Sequence, residues 1–325
     1  MPDVNSMTVA VVGAGAVGMT IGAAFAAAGH QVLACGRRVP EDDAIRVDDG
    51  ADERRLPVRW LTGPGQVASR ADWIILATKL HQTEGARPWL DALVGNGTRI
   101  IAAQNGVDHR DRLRRITPAP VAPALVYYNA ERLEPGRVRV RPTERDLVFP
   151  DDETGAEAAR TARDAGIRAV TDPDFATAAW VKLLTNAVAN PITALTGRRI
   201  EVLREPDVVP FALRVLEETA EVGRAEGARL PADAARERLA WLQNLQAGST
   251  TSMLQDREAG AETEHDGLTG AVVRLAAAHG IDVPASAALL DLLSRDDVPL
   301  VDESWFAERP GVRRGTRAGA DEQQR

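Results

Sequence analysis

TVAVV at Thr8–Val12 runs directly into Gly13-Ala14-Gly15-Ala16-Val17-Gly18. A short β-branched run bounded by glycine has the composition of a buried parallel strand. The six residues after it spell G-x-G-x-x-G. Residues 18–28 are then rich in alanine, with Met19, Ile21 and Phe25, and stop at Gly29. Strand, glycine loop and helix in that order are the context that a dinucleotide-binding fingerprint requires. Its first glycine makes a tight turn, its second lets the backbone approach a pyrophosphate, and its third allows close helix–strand packing. The helix N-terminus then offers unpaired N–H groups to the phosphates. A tight strand–helix turn without a ligand is the plainer alternative. Residues 7–29 are apolar enough to tempt a membrane-span reading, but they lack a basic flank and are broken by Gly13, Gly15, Gly18 and Gly22.

The alternation continues outward from this motif. Residues 31–34 read as a second strand, and WIILA at 73–77 and RIIAA at 99–103 as two more, with a helix around 87–93. Strands alternating with helices indicate an α/β domain of Rossmann type, a doubly wound parallel sheet. Residues 121–150 break into strand-like pieces expected to extend the sheet edge. A helix at 156–165 and a strand at 167–170 lead to Asp172-Pro173-Asp174, where the domain boundary is expected. Beyond it, residues 175–293 read as helices. The expected division is a dinucleotide-binding domain at 1–172, an all-helical substrate and catalytic domain at 173–308, and a tail at 309–325. That tail has almost nothing apolar and is expected to be disordered.

The end of the second strand bears on the cofactor. NAD sites place an acid there to hold the ribose 2′-hydroxyl. This chain has Cys35-Gly36-Arg37-Arg38 and no acid until Glu41. An Arg at that place can pair bidentately with a 2′-phosphate, so we expect NADP(H), with Arg37 as the main contact and Gly13, Ala14, Gly15, Ala16, Val17 and Gly18 around the phosphates. Arginine is common in this chain, so an ordinary solvated pair is the alternative. Of 39 basic residues only Lys79 and Lys182 are lysines. Lys is a compact ammonium that can lose its proton when desolvated, which Arg does not do. Lys79 follows one strand and Asn105-Gly106 the next. Ligands of open α/β sheets bind at such carboxyl ends, so both side chains are expected at the cofactor cleft. A solvated Lys and a simple Asn-Gly turn are the alternatives.

AAWVKLLTNAVAN at 178–190 is nearly all apolar. Lys182, Asn186 and Asn190 fall at i, i+4 and i+8 and line one stripe of a helix. Burying an unsatisfied amide costs roughly 1–3 kcal/mol and a lone ammonium more. Such a stripe therefore needs partners, either a ligand or an internal polar network. Composition narrows the remaining choices. The chain is 44% hydrophobic and 26% charged, as globular proteins are. Its net charge of −8 argues against general binding of nucleic acid or anionic membrane. One cysteine, Cys35, allows neither an intrachain disulfide nor a cysteine metal site and suits a reducing cytoplasm. The histidines show no ligand spacing, so no metal is expected.

Along almost its whole length the chain resembles the ketopantoate reductase (2-dehydropantoate 2-reductase) family. The likeness rests on GAGAVG at 13–18, KLHQ at 79–82, QNG at 104–106, WVKLLTNAVANP at 180–191, and SMLQD at 252–256 followed by TEHD at 263–266. It implies NADPH-dependent reduction of a 2-oxo acid to a 2-hydroxy acid, with 2-dehydropantoate to (R)-pantoate as the leading case. It further implies Lys182 as general acid and Glu264 as its partner. Asn186, Asn190, Ser252 and Asn105 would be substrate contacts, and Lys79 and Asn105 cofactor-side groups. Ser252 with Gln255 also spells a capping box, and Glu264 is expected about three turns into that same helix. Members often carry Asn where this chain has Ser249, and an Asn-Gly segment after the Lys182 helix where it reads Gly197-Arg198-Arg199. These departures leave open a reductase for another 2-oxo acid or ketone. A protein that senses NADP(H) without turnover is a further alternative, and a homodimer is an assembly to test.

Overall fold

A computed structural model describes residues 6–141, 143–295 and 297–309. The chain divides into two compact units, Met1–Ala179 and Trp180–Arg325. The first unit runs β1 (Thr8–Val12), α1 (Ala16–Ala27), β2 (Gln31–Cys35), β3 (Ala44–Asp48), β4 (Glu53–Pro57), β5 (Arg59–Leu61), β6 (Trp73–Leu76), α2 (Arg87–Leu93), β7 (Arg99–Ala102) and α3 (His109–Leu113). It continues through β8 (Val121–Pro123), β9 (Leu125–Val126), β10 (Asn129–Glu134), β11 (Arg137–Arg141), β12 (Leu147–Pro150), α4 (Glu153–Asp164) and β13 (Ala169–Asp172).

Six strands form one parallel sheet in the order β5-β2-β1-β6-β7-β8. The order reverses between β1 and β6, and such a switch point opens a crevice at the strands' carboxyl ends. Both faces of the sheet are covered, which is why TVAVV carries no polar alternation. Val9 and Val11 bury with Met19, Ile21 and Phe25 of α1. Ala10 and Val12 bury on the other face with Leu90, Leu93 and Leu113.

One expectation needs correcting, and one hairpin was not foreseen. Of the pieces at 121–150, only β8 joins the main sheet. β10 and β11 pair into a separate sheet, β10-β11-β3-β4, and β12 joins β13-β12-β9. The hairpin of β3 and β4 was not legible, because β4 reads ERRLP and is almost wholly exposed. The compact units meet between Ala179 and Trp180. Phe175, Ala178 and Ala179 pack with Leu125 and Val148, so the first turn of the following helix belongs to the first unit. The disorder expected of the tail concerns residues of which 310–325 lie outside the described ones.

That helix, α5 (Phe175–Thr196), leads into α6 (Val209–Ala225), α7 (Ala234–Gln243), α8 (Ser252–Glu258), α9 (Ala271–His279), α10 (Pro284–Leu293) and α11 (Ser304–Ala307). In the second unit α6 packs against α7, α9, α10 and α11. Phe211 of α6 meets Phe306 edge-on with ring centroids 5.4 Å apart. Glu218 of α6, 2% exposed, accepts from the backbone N–H groups of Ala285 (3.0 Å) and Ser286 (2.8 Å) and from the Ser286 hydroxyl (2.8 Å), so it caps α10. Trp180 seats against Gly223, where a β-carbon would come within 2.9 Å of the indole. Among the described residues no helix is long and apolar enough to cross a membrane.

Candidate active site

The first unit gathers three loops at the carboxyl ends of neighbouring strands. Gly13 has φ +103°, and a β-carbon there would lie 2.6 Å from the backbone of Ala77 and of Thr78. The glycine loop is thus pressed against the residue before Lys79. Gly18 packs α1 down on β1, where an added β-carbon would be 2.2 Å from the Gly13 carbonyl oxygen and 2.9 Å from Val11. Gly15 is the opposite case, since a β-carbon there would meet nothing within 4 Å. It is the N-cap of α1 and has no side-chain cap, so the first-turn N–H groups, which have no partner within the helix, are left for a ligand or water. These residues fit a dinucleotide pyrophosphate on both steric and electrostatic grounds.

The β2 end lies beside this loop. Gly13 N–H donates to the Cys35 carbonyl at 3.3 Å, and a β-carbon on Gly36 would touch Ala14 at 3.4 Å. Arg37 and Arg38 are exposed on the bend that follows. Burial pushes the Cys35 thiol up to about 12, so it is a core group and not a nucleophile. Lys79 and Asn105, both partly buried, follow β6 and β7. Gln104, to which no role was assigned from sequence, joins these two loops. It is 4% exposed and its Nε2 donates to the Thr78 carbonyl at 2.9 Å.

In the second unit α5 presents Lys182, Asn186 and Asn190 on one stripe. Desolvation drives the Lys182 ammonium down from its ordinary 10.5 to about 8, and the Glu264 carboxylate opposes that shift. The residue as a whole keeps some exposed surface; it is the charged end that is desolvated. Glu264 itself is 6% exposed. Asn190 is 3% exposed, and its Nδ2 has no hydrogen-bond partner among the described residues. Buried donors are rarely left so unless something else binds them. Pro191 next to it lacks the N–H that would have met the Ala187 carbonyl, a local break in the helix ladder.

Two local readings are corrected. The cap of α8 is Thr251, whose Oγ1 accepts from Leu254 N–H at 3.2 Å, and Ser252 is the exposed first helical residue. Thr251 is preferred because its hydroxyl also pairs with buried Thr193 of α5 at 2.6 Å. Glu264 is not within α8, which ends at Glu258; it lies one residue before His265, the N-cap of a π-helical turn at Asp266–Gly270. The two departures noted in the sequence both have partners within the chain. Ser249 Oγ donates to the Gln246 carbonyl at 2.6 Å. Arg198 pairs with Glu205 at 2.6 Å and with Glu303.

The chain matches the family model described as Ketopantoate reductase PanE/ApbA over residues 9–153 and its C-terminal counterpart over 174–296. A 2-dehydropantoate 2-reductase of Mycobacterium tuberculosis is 40% identical over 287 residues, 88% of this chain and 96% of the relative. The crystal structure of a PanE/ApbA family ketopantoate reductase from Ralstonia eutropha superposes with a TM-score of 0.79 at 32% identity, covering 88% of this chain and 97% of that one. A dimeric ketopantoate reductase from Staphylococcus aureus gives 0.78 at 26% identity, covering 88% and 97%.

Proposed function

The chain belongs to the ketopantoate reductase family and is an oxidoreductase, and on that premise we propose that it reduces the ketone of a 2-oxo acid to a 2-hydroxy acid with NADPH. The leading substrate is 2-dehydropantoate, giving (R)-pantoate on the way to pantothenate. Lys182 carries this reading: its ammonium has a pKa near 8, so it holds a proton at neutral pH and can release it. When bound, NADPH supplies the hydride. Lys182 Nζ gives its proton to the substrate oxygen as the alkoxide develops, and its charge stabilises that oxygen beforehand. Glu264 favours the protonated lysine and so its recharging from solvent. Asn190 and Asn186 orient the substrate oxygens by hydrogen bonds, with Ser252 on the carboxylate. Arg37 would pair with the 2′-phosphate, the glycine loop would hold the pyrophosphate, and Lys79 and Asn105 would be cofactor-side groups.

The test is NADPH oxidation against a panel of 2-oxo acids that includes 2-dehydropantoate. Lys182→Ala should lower kcat by about 10²–10⁴-fold, and near-normal turnover by this variant sinks the mechanism. A second reading keeps the chemistry and changes the substrate. It is favoured by Ser249 and Arg198, whose polar groups are committed to internal partners. A higher kcat/KM on another member of the panel would select it. Tight NADPH binding without oxidation by any 2-oxo acid would instead favour a sensor. A homodimer is proposed on the likeness to the dimeric Staphylococcus aureus enzyme, and sedimentation equilibrium tests it.

A further inference from the structure

We infer that Gln104 is a positioning residue that holds the Lys79 and Asn105 loops in register for NADPH binding; this rests on the proposed placement of those two residues beside the cofactor. Gln104 follows β7, and both ends of its amide are engaged across the chain. Its Nε2 donates to the Thr78 carbonyl (2.9 Å), the Thr78 hydroxyl (3.0 Å) and the Thr83 hydroxyl (3.0 Å). Two N–H groups serve three acceptors, so one bond is shared. Its Oε1 accepts from Arg112 Nη2 at 3.1 Å. The orientation of the amide follows from chemistry: a carbonyl only accepts and a guanidinium only donates, so the flipped amide would set like against like at both ends.

Lys79 lies between Thr78 and Thr83, and one amide grips the segment on both sides of it. Asn105 is the next residue along the chain from that amide. The Gln104 main chain is fixed as well, because its carbonyl accepts from His109 Nε2 at 2.8 Å, which places the proton of that ring on Nε2. Arg112 is in turn held by Asp108 at 2.5 Å. On its far side Thr78 abuts Gly13. A movement of Gln104 therefore reaches the Lys79 segment, the Asn105 turn and the glycine loop together. A buried apolar side chain could fill the same volume but would tie none of them.

The experiment measures NADPH affinity by fluorescence titration without substrate, the thermal melting point, and steady-state KM and kcat. Gln104→Leu should stay folded and bind NADPH about tenfold more weakly, the loss of one to two hydrogen bonds' worth of organisation. The effect should fall on KM for NADPH far more than on kcat. Combined with Lys79→Ala, its effect should be much smaller than in the parent, since the two act through one contact. Thr83→Val should weaken binding and Thr83→Ser should restore it; this pair decides the matter if Gln104→Leu does not fold. A folded Gln104→Leu with unchanged affinity, or effects that simply add to those of Lys79→Ala, overturns the inference. An unchanged affinity in Lys79→Ala overturns the placement of Lys79 itself, which separates the two failures.

Discussion

Lys182 stands where two opposing effects meet, desolvation lowering its pKa and Glu264 raising it. On the proposed mechanism reduction needs the protonated amine, so kcat/KM should be flat below and fall above an alkaline limb near pH 8. Glu264→Gln removes the opposing effect, and the limb should then move to lower pH; a limb that stays in place or moves up would refute the coupling. The glycine positions divide the labour differently. Gly13 and Gly18 are required by protein atoms within 3 Å, whereas Gly15 faces open space. A side chain at Gly15 would thus cost binding more than folding. Arg37 is exposed at the β2 bend, and Arg37→Ala should raise KM for NADPH while leaving KM for NADH nearly unchanged. Equal effects on both would argue against a 2′-phosphate contact.

Helix starts illustrate what is and is not readable at the level of elements. The α10 start is capped from α6, by a carboxylate 67 residues away in the chain. Glu218→Ala would leave two buried backbone N–H groups unpaired, so unfolding by denaturant should show a loss of about 2–4 kcal/mol. A loss below about 0.5 kcal/mol would mean that water replaces the carboxylate. Elements whose signal is local were legible: β1 and the helix at Arg87–Leu93 fall where strand composition and apolar spacing put them. Elements decided by distant partners were not. Thr251 outcompetes Ser252 as a cap because of a hydroxyl on α5, and the break between α8 and Glu264 has no proline to announce it. Of the residues proposed for the site, Lys182, Asn186 and Asn190 stand out by a four-residue spacing on an apolar helix. Gln104 does not, since its partners Thr78 and Thr83 are distant in sequence and, with Arg112, follow no spacing rule.

At the scale of the whole molecule, NADPH that binds the folded chain should stabilise it by mass action, by about 2.7 kcal/mol at a hundred times its Kd. The melting point should rise with NADPH concentration and rise less with NADH at the same concentration. Equal rises would count against the Arg37 assignment from a direction independent of turnover. The order of the parallel sheet places the glycine loop, Arg37, Lys79 and Asn105 at one end of a single scaffold, so truncating the side chain of Arg37, Lys79 or Asn105 should weaken binding without unfolding the unit. The scarcity of lysine has a practical consequence. Arginine is not acylated by amine-directed reagents, so such a reagent finds only Lys79 and Lys182 among the side chains. With its amine half deprotonated near pH 8, Lys182 becomes a nucleophile under the usual labelling conditions. Cross-linking or immobilisation through lysine, harmless to the surfaces of most proteins, would here be directed at the two residues on which cofactor and proton transfer are proposed to depend.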